Sequence, residues 1–109
     1  MRLQYLIFYF TLGFIFSRSP CIGQADRLFY DAVRTEASGD LDQAINLYLK
    51  ASALSHSANL HGNLANLYFK KEQFGHSILH FRKALLMNPR DAELLANLNF
   101  AYEMANLPP

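Results

Sequence analysis

The sequence predicts an all-α fold of five helices that pack as consecutive helical hairpins. Apolar residues recur every three or four positions, as at Leu60, Leu64 and Leu67, which is the spacing of one helix face. Turn-forming residues separate these stretches, and no stretch alternates apolar and polar residues as a half-buried strand would. The helices are expected near residues 26–38, 41–54, 58–71, 74–87 and 92–106.

Capping and turn residues mark the boundaries of these helices in order. The turn Ser38-Gly39-Asp40 separates the first two helices, and Asp40 with Gln43 forms a capping-box pattern at the start of the second. Ser57 is placed to cap the third helix. Pro89 ends the fourth helix and Asp91 starts the fifth.

Small residues at matched positions indicate close contacts between these helices. Each is flanked by large apolar residues that would fill the grooves of the neighbouring helix. The small residues are Ala32, Ala44, Ala51, Ala65, Ser77 and Ala84.

Residues 1–25 predict a signal peptide ahead of the helical domain of residues 26–109. Arg2 precedes an apolar run over residues 3–16, which is followed by a turn-prone stretch and small residues at Gly23 and Ala25. Cleavage is expected after Ala25, with Gly23 as a second choice. The protein would then be exported to the periplasm or to a membrane surface of the cell envelope.

Two other interpretations of this leader remain open. An uncleaved anchor is one, although a helix over residues 3–16 would reach only about 21 Å against a hydrocarbon layer of roughly 30 Å. A lipoprotein with Cys21 as its first residue is the other, although Arg18-Ser19-Pro20 is a poor match to the usual lipidation motif. Residues 3–16 would associate with the membrane if the leader stayed attached.

Composition argues against several classes of function. Ten Lys and Arg against nine Asp and Glu give no dense basic field, which argues against nucleic-acid binding. The single cysteine excludes an internal disulfide. No nucleophile arrangement or glycine-rich phosphate loop is present, so we expect neither an enzyme nor a cofactor.

A unit of 34 residues carries large, small and aromatic residues at fixed offsets, namely His61, Leu64, Ala65, Tyr68, Ser77, Phe81, Ala84 and Pro89. This unit resembles the tetratricopeptide repeat family, with a complete repeat over residues 58–91. Residues 25–57 resemble another repeat, and residues 92–106 resemble a partial, capping one. His61 stands in the usual place of a tryptophan or large apolar residue, and His56 stands where the terminal proline of the upstream repeat would be.

This resemblance implies a helix-turn-helix solenoid, a right-handed α-α superhelix of about two and a half repeats. Residues 62–85 also resemble, more narrowly, the tetratricopeptide component of bacterial Bat aerotolerance operons. Those relatives usually continue into membrane helices and a small β domain, which have no counterpart in these 109 residues.

The resemblance further implies that the first helix of each repeat lines a concave groove that holds an extended or helical peptide of a protein partner. Phenylalanines would anchor the peptide, and asparagines would hydrogen-bond its backbone, unless they simply stay hydrated. Gly62 would leave room for a bulky ligand group. The matching residues are Phe29, Val33, Asn59, Gly62, Asn63, Asn66, Phe69, Lys70, Asn97 and Phe100.

One specialised groove function is not expected. Family members that bind chaperones grip a terminal carboxylate with Lys and Arg residues. Here Phe29, Val33 and Glu93 stand where several of those residues belong.

Two alternatives concern other parts of the chain. A membrane-anchored structural subunit would retain its leader and dock on neighbours through the last helix, which carries Phe100 and Met104 as apolar surface and would also allow self-association. His76 and His80, four residues apart, would share a helix face that could bind zinc, but a third ligand is missing. We therefore predict ordinary solvated histidines and no metal site.

Overall fold

The computed structural model describes residues 20–108, with side chains from residue 23 onward. Residues 20–108 form five α-helices, which pack as two antiparallel hairpins followed by a single helix. They are α1 (Pro20–Ala37), α2 (Leu41–Leu54), α3 (Ala58–Lys70), α4 (Phe74–Met87) and α5 (Ala92–Met104). Residues 20–108 contain no strand, and the predicted all-α, tetratricopeptide-like helical repeat is confirmed.

The predicted caps form at three helix starts. The backbone N–H of Gln43 donates to Asp40 Oδ1 at 3.1 Å, and the N–H of Leu60 donates to Ser57 Oγ at 3.0 Å. Asp91 Oδ1 accepts from the third residue of α5 at 3.1 Å. Each cap satisfies one of the backbone donors that a helix start leaves without an intrahelical partner.

Helices α3 and α5 end before the predicted last residue, because a non-glycine residue adopts the left-handed conformation after each. Glu72 has φ 61° and follows α3, while Asn106 has φ 57° and follows α5. In each case the next residue bonds back five positions, as in the 2.9 Å bond from Gln73 N to Tyr68 O. This pattern is the Schellman motif, which closes a helix by satisfying its last carbonyls.

The predicted start of the first helix near residue 26 is wrong. Helix α1 already includes Pro20, the first residue that the structure describes. Ala25, one of the small residues predicted to mark a cleavage site, lies inside this helix and is buried. The apolar run over residues 3–16 lies outside the described residues. Among the helices that the structure describes, none is both long enough and apolar enough to cross a membrane.

The core consists of two clusters joined at α3. One fills the space between α1, α2 and α3 around Tyr48 and Leu64, and the other lies between α3, α4 and α5 around Phe81. The predicted small residues sit at these contacts with almost no exposed surface, and the buried Ser77 hydroxyl donates to the Ala65 carbonyl at 2.9 Å. Because small side chains let the helix axes approach, they allow α1 to pack closely on α2 and α3 on α4.

Candidate functional site

Two adjoining cavities lie between α3 and α5, and several of the residues expected in the groove line them. The first, which we call the amide cavity, has a volume of about 130 Å³ and is lined by Ala58, Asn59, Gly62, Asn63, Asn66, Asp91, Glu93, Leu94 and Asn97. The second, the aromatic cavity, has a volume of about 250 Å³ and is lined by Asn66, Phe69, Phe81, Asn97 and Phe100. Asn66 and Asn97 line both cavities, one from each helix.

The aromatic cavity is built from residues of three helices. The rings of Phe69 on α3 and Phe100 on α5 are tilted against each other with centroids 5.3 Å apart. Phe81 of α4 is 1% exposed and closes the floor, whereas Phe100 is 51% exposed at the rim. This arrangement offers an apolar site with one open side. The floor residue Phe81 was predicted only as part of the repeat pattern, because its contact with the groove depends on how α4 packs beneath it.

Two predicted ligand-binding residues already have partners inside the protein. The Asn63 amide donates to the Tyr48 hydroxyl at 3.2 Å, and that hydroxyl donates to Glu36 Oε2 at 3.1 Å. Lys70 Nζ lies 3.5 Å from Glu36 Oε1. Burial, with the nearby carboxylate, raises the pKa of Tyr48 to about 12, so its hydroxyl remains a donor.

The structure does not bring the three predicted phenylalanine anchors together. Phe29 lies with its ring edge toward Tyr48, at a centroid distance of 5.7 Å. It lines a separate cavity of about 240 Å³ between α1 and α3, with Ala25, Asp26, Tyr30, Ala51, Ser55, Ser57, Asn59 and Leu60. Val33 is partly exposed and lines none of these three cavities.

Leu94 of α5 takes up part of the expected room beside Gly62, which also lines the amide cavity. A Cβ atom added at Gly62 would lie 3.2 Å from Leu94 Cδ2. The missing side chain therefore lets α5 pack against α3. The contact joins residues of two different repeats, which the spacing within one repeat does not reveal.

The amide cavity contains acids that the groove prediction omitted. Asp91 and Glu93 line it, and no Lys or Arg does. Asp91 also accepts the capping bond of α5, so its position is fixed. Carboxylates and carboxamides together suit a ligand that brings N–H donors or a positive charge, and they disfavour a terminal carboxylate.

The prediction that His80 is a solvated surface residue is wrong. His80 is 6% exposed and His61 is 2% exposed. His61 Nδ1 lies 3.1 Å from His80 Nδ1, while His61 Nε2 lies 3.1 Å from Nδ1 of the exposed His56. His56, His61 and His80 thus form a continuous series of imidazoles, which we call the histidine chain.

The rings of the histidine chain lie edge to edge. Bonded pairs have centroids 5.3 Å apart and interplanar angles of 13° and 15°. The centroid distance exceeds the 3.1 Å nitrogen–nitrogen distance by about two ring radii, as expected when both nitrogens lie on the line between the ring centres. The two rings of each pair are therefore nearly coplanar, and each contact is a hydrogen bond in the plane of the rings. Tyr68, by contrast, is parallel to His80 and His76 at 5.5 and 4.9 Å without such a contact.

Burial disfavours a charge on the inner two histidines. It lowers the pKa of His61, with help from nearby His56 and Lys83, and it lowers the pKa of His80 to about 4, with smaller effects of His61, Lys83 and His76. Over residues 20–108, no group of three or more His, Cys, Asp or Glu is placed to hold a metal ion. The two nitrogens of His61 instead contact different neighbours.

Comparison with known proteins agrees with the geometry of the central hairpin. No curated protein matches the chain, so the narrower resemblance to the Bat component gains no support. Repeats of the tetratricopeptide type are typically non-catalytic modules for protein–protein interaction. Residues 58–91, which form α3, α4 and the turn into α5, match the model of the tetratricopeptide repeat family, and this supports a general role in binding another protein.

Proposed function

We propose that the chain is an exported interaction module that binds a peptide or helix of a protein partner in the groove between α3 and α5. The observation that carries this proposal is the position of Asn66 and Asn97, which line both the amide and the aromatic cavity. Their carboxamides stand where the backbone of a bound segment would pass. A carboxamide both donates and accepts, as a peptide group requires.

The two cavities would recognise different parts of the ligand. Phe69 and Phe100 would contact one large apolar side chain over the buried Phe81. Asp91 and Glu93 would favour a neighbouring Lys, Arg or amino group of the same ligand. The partner segment is therefore expected to pair an apolar anchor with a positive charge.

Replacement of both shared asparagines tests the groove. The double variant Asn66→Ala/Asn97→Ala removes two carboxamides, each worth about 0.5–1.5 kcal/mol in hydrogen bonding, so affinity should fall roughly tenfold or more. The partner would be captured from the native cell and its binding then measured by calorimetry. Asn46→Ala/Asn99→Ala is the matched control, because both of these residues are exposed outside the cavities. Equal affinities of the two double variants would refute groove binding.

Export is the second part of the proposal. The basic start, apolar run and small residues of the leader support it. Cell fractionation should find the protein in the periplasm or at an envelope membrane, and N-terminal sequencing should give a start near Asp26. Recovery of the protein from the cytoplasm would refute export.

A membrane-anchored structural subunit is the second candidate function. Helix α1 already includes Pro20, so a cut after the buried Ala25 would remove its first turns, and this favours a retained leader. Helix α5 also leaves Leu95, Phe100 and Met104 about half exposed, which would suit contact with a neighbour or a second copy. An intact Met1 in the exported protein and concentration-dependent sedimentation would support this candidate. A start near Asp26 together with a monomer at all concentrations would refute it.

A further inference from the structure

The histidine chain joins the loop between the two helical hairpins to both helices of the second hairpin. His56 belongs to the loop between α2 and α3, His61 to α3 and His80 to α4. His56 and His61 are also among the positions at which the sequence departs from the usual repeat residues, and the structure places them in contact at 3.1 Å. A hydrogen bond between imidazoles thus occupies a place where the repeat normally has apolar packing.

The neutral histidine chain has enough N–H groups to form both of its hydrogen bonds. Three neutral imidazoles carry three N–H groups, and each of the two nitrogen–nitrogen contacts needs one. His61 then donates to one neighbour and accepts from the other. Both hydrogen bonds therefore form whether donation runs from His56 toward His80 or from His80 toward His56. No buried side-chain nitrogen in residues 23–108 lacks a partner.

Additional protons affect the two contacts differently. One extra proton on His61 turns both of its nitrogens into donors, and His56 and His80 still accept. A second extra proton leaves two N–H groups facing each other across a 3.1 Å contact, which cannot remain closed. Within residues 23–108, the other titratable groups that act on or contact these rings are Lys83 and His76 of α4 and Tyr68 of α3. None of these groups is a carboxylate that would compensate the positive charge.

We propose that the histidine chain is a pH-sensitive latch that, when it is neutral, holds the loop between the two hairpins against the second hairpin, and that opens on acidification. Opening would release the loop that contains His56. Ser55 and Ser57 of that loop also line the cavity between α1 and α3, and Ser57 caps α3. Acid would therefore change the shape of this cavity and the orientation of the first hairpin on the second. The latch does not depend on the groove proposal.

A distance measurement across the junction tests the latch. Spin labels would be attached to the full chain through Asn46→Cys on α2 and Arg82→Cys on α4, both exposed positions, in a Cys21→Ser background. Double electron–electron resonance should give one narrow distance at about pH 7.5 and a longer or broader distribution between about pH 6 and 4, the range in which lowered histidine pKa values are crossed. A chelator present throughout removes any contribution of metal ions.

Two variants test whether the histidine chain causes the pH-dependent opening. His61→Phe keeps a large ring and removes both nitrogen contacts, so its distance distribution should not depend on pH over this range. His76→Gln removes a histidine outside the chain and should open as the parent does. Far-ultraviolet circular dichroism separates opening from unfolding. If the parent loses helicity and His61→Phe does not, the latch is equally supported. A pH-independent parent, or His61→Phe that opens or unfolds with it, would overturn the proposal.

Nuclear magnetic resonance of the ring nitrogens gives a second measurement. At about pH 7.5 the two nitrogens of His61 should report one donor and one acceptor. Both His61 and His80 should titrate below the ordinary histidine pKa, with coupled transitions. His56→Ala should shift the His61 transition. Independent titration of His61 and His80 near the ordinary histidine pKa would overturn the latch.

Discussion

The hydroxyl of Tyr48 holds together a network that also fixes part of the groove, and its removal should be costly. Tyr48 is fully buried, donates to Glu36 and accepts from Asn63. A bond to a carboxylate contributes about 1.5–3 kcal/mol and a neutral one about 0.5–1.5 kcal/mol. Since Glu36 and Asn63 are only partly buried, water would replace some of this loss. We expect Tyr48→Phe to lower the free energy of unfolding by about 1–2 kcal/mol.

Urea unfolding followed by circular dichroism measures this loss, and a double-mutant cycle assigns it. Asn63→Ala alone should cost less than Tyr48→Phe, and the two together should cost less than the sum of both because they share one bond. Tyr48→Phe leaves the aromatic ring and its contact with Phe29 in place, so a packing defect does not enter the comparison. A loss below about 0.3 kcal/mol, or strict additivity of the pair, would refute the network.

The same variant bears on the groove. Tyr48→Phe frees the Asn63 amide, which borders the amide cavity. Partner affinity should therefore stay level or rise even though the fold is weakened. Reduced affinity in a folded Tyr48→Phe protein would mean that the bond to Tyr48, rather than a free amide, gives Asn63 its role.

Three further predictions concern single positions. The pKa of His80 falls from 6.5 to about 4 on folding, so the stability that this residue contributes is present above pH 6.5 and is lost as the pH falls toward 4. The loss of up to about 3 kcal/mol should be seen in urea unfolding at several pH values and should disappear in His80→Phe. Glu72→Gly should stabilise by about 0.5–1 kcal/mol, because Glu72 has φ 61°, whereas Gln73→Gly, at φ −92°, should destabilise in the same thermal melts. Gly62→Ala should raise stability by about 0.5 kcal/mol through helix propensity if the Leu94 side chain moves by a few tenths of an ångström, and an equal loss would show that Leu94 is held rigidly.

The sequence predicts local features of this fold well. The caps at Asp40, Ser57 and Asp91 need only a side chain and a backbone N–H three residues away, so the residue pattern determines them. The start of α1 was missed because the small residues Gly23 and Ala25 fit a cleavage site as well as a helix. The same small residues are compatible with a signal-peptidase site and with a packed helix, and the sequence does not distinguish the two.

The long-range features could not be predicted from spacing. The four-residue spacing of His76 and His80 places them on adjacent parts of a helix, and the resemblance to the repeat implied that both lie on its outer, solvated side. His80 is buried because His61 supplies a hydrogen-bond partner from another helix. Leu94 takes up part of the space at Gly62 in the same way, from the next repeat. Such pairings depend on how the helices pack, which a single repeat does not specify.

Helix α3 serves both proposals from different faces. At about 100° per residue, His61 lies roughly 140–160° around the helix from Asn63 and Asn66. The histidine chain therefore points away from the groove, and the two sites should be separable. His61→Phe should bind the partner at about pH 7.5 as tightly as the parent, and Asn66→Ala/Asn97→Ala should leave the acid-dependent opening unchanged. Weaker binding by a folded His61→Phe protein would contradict this separation, because it would show that α3 transmits the state of the latch to the groove.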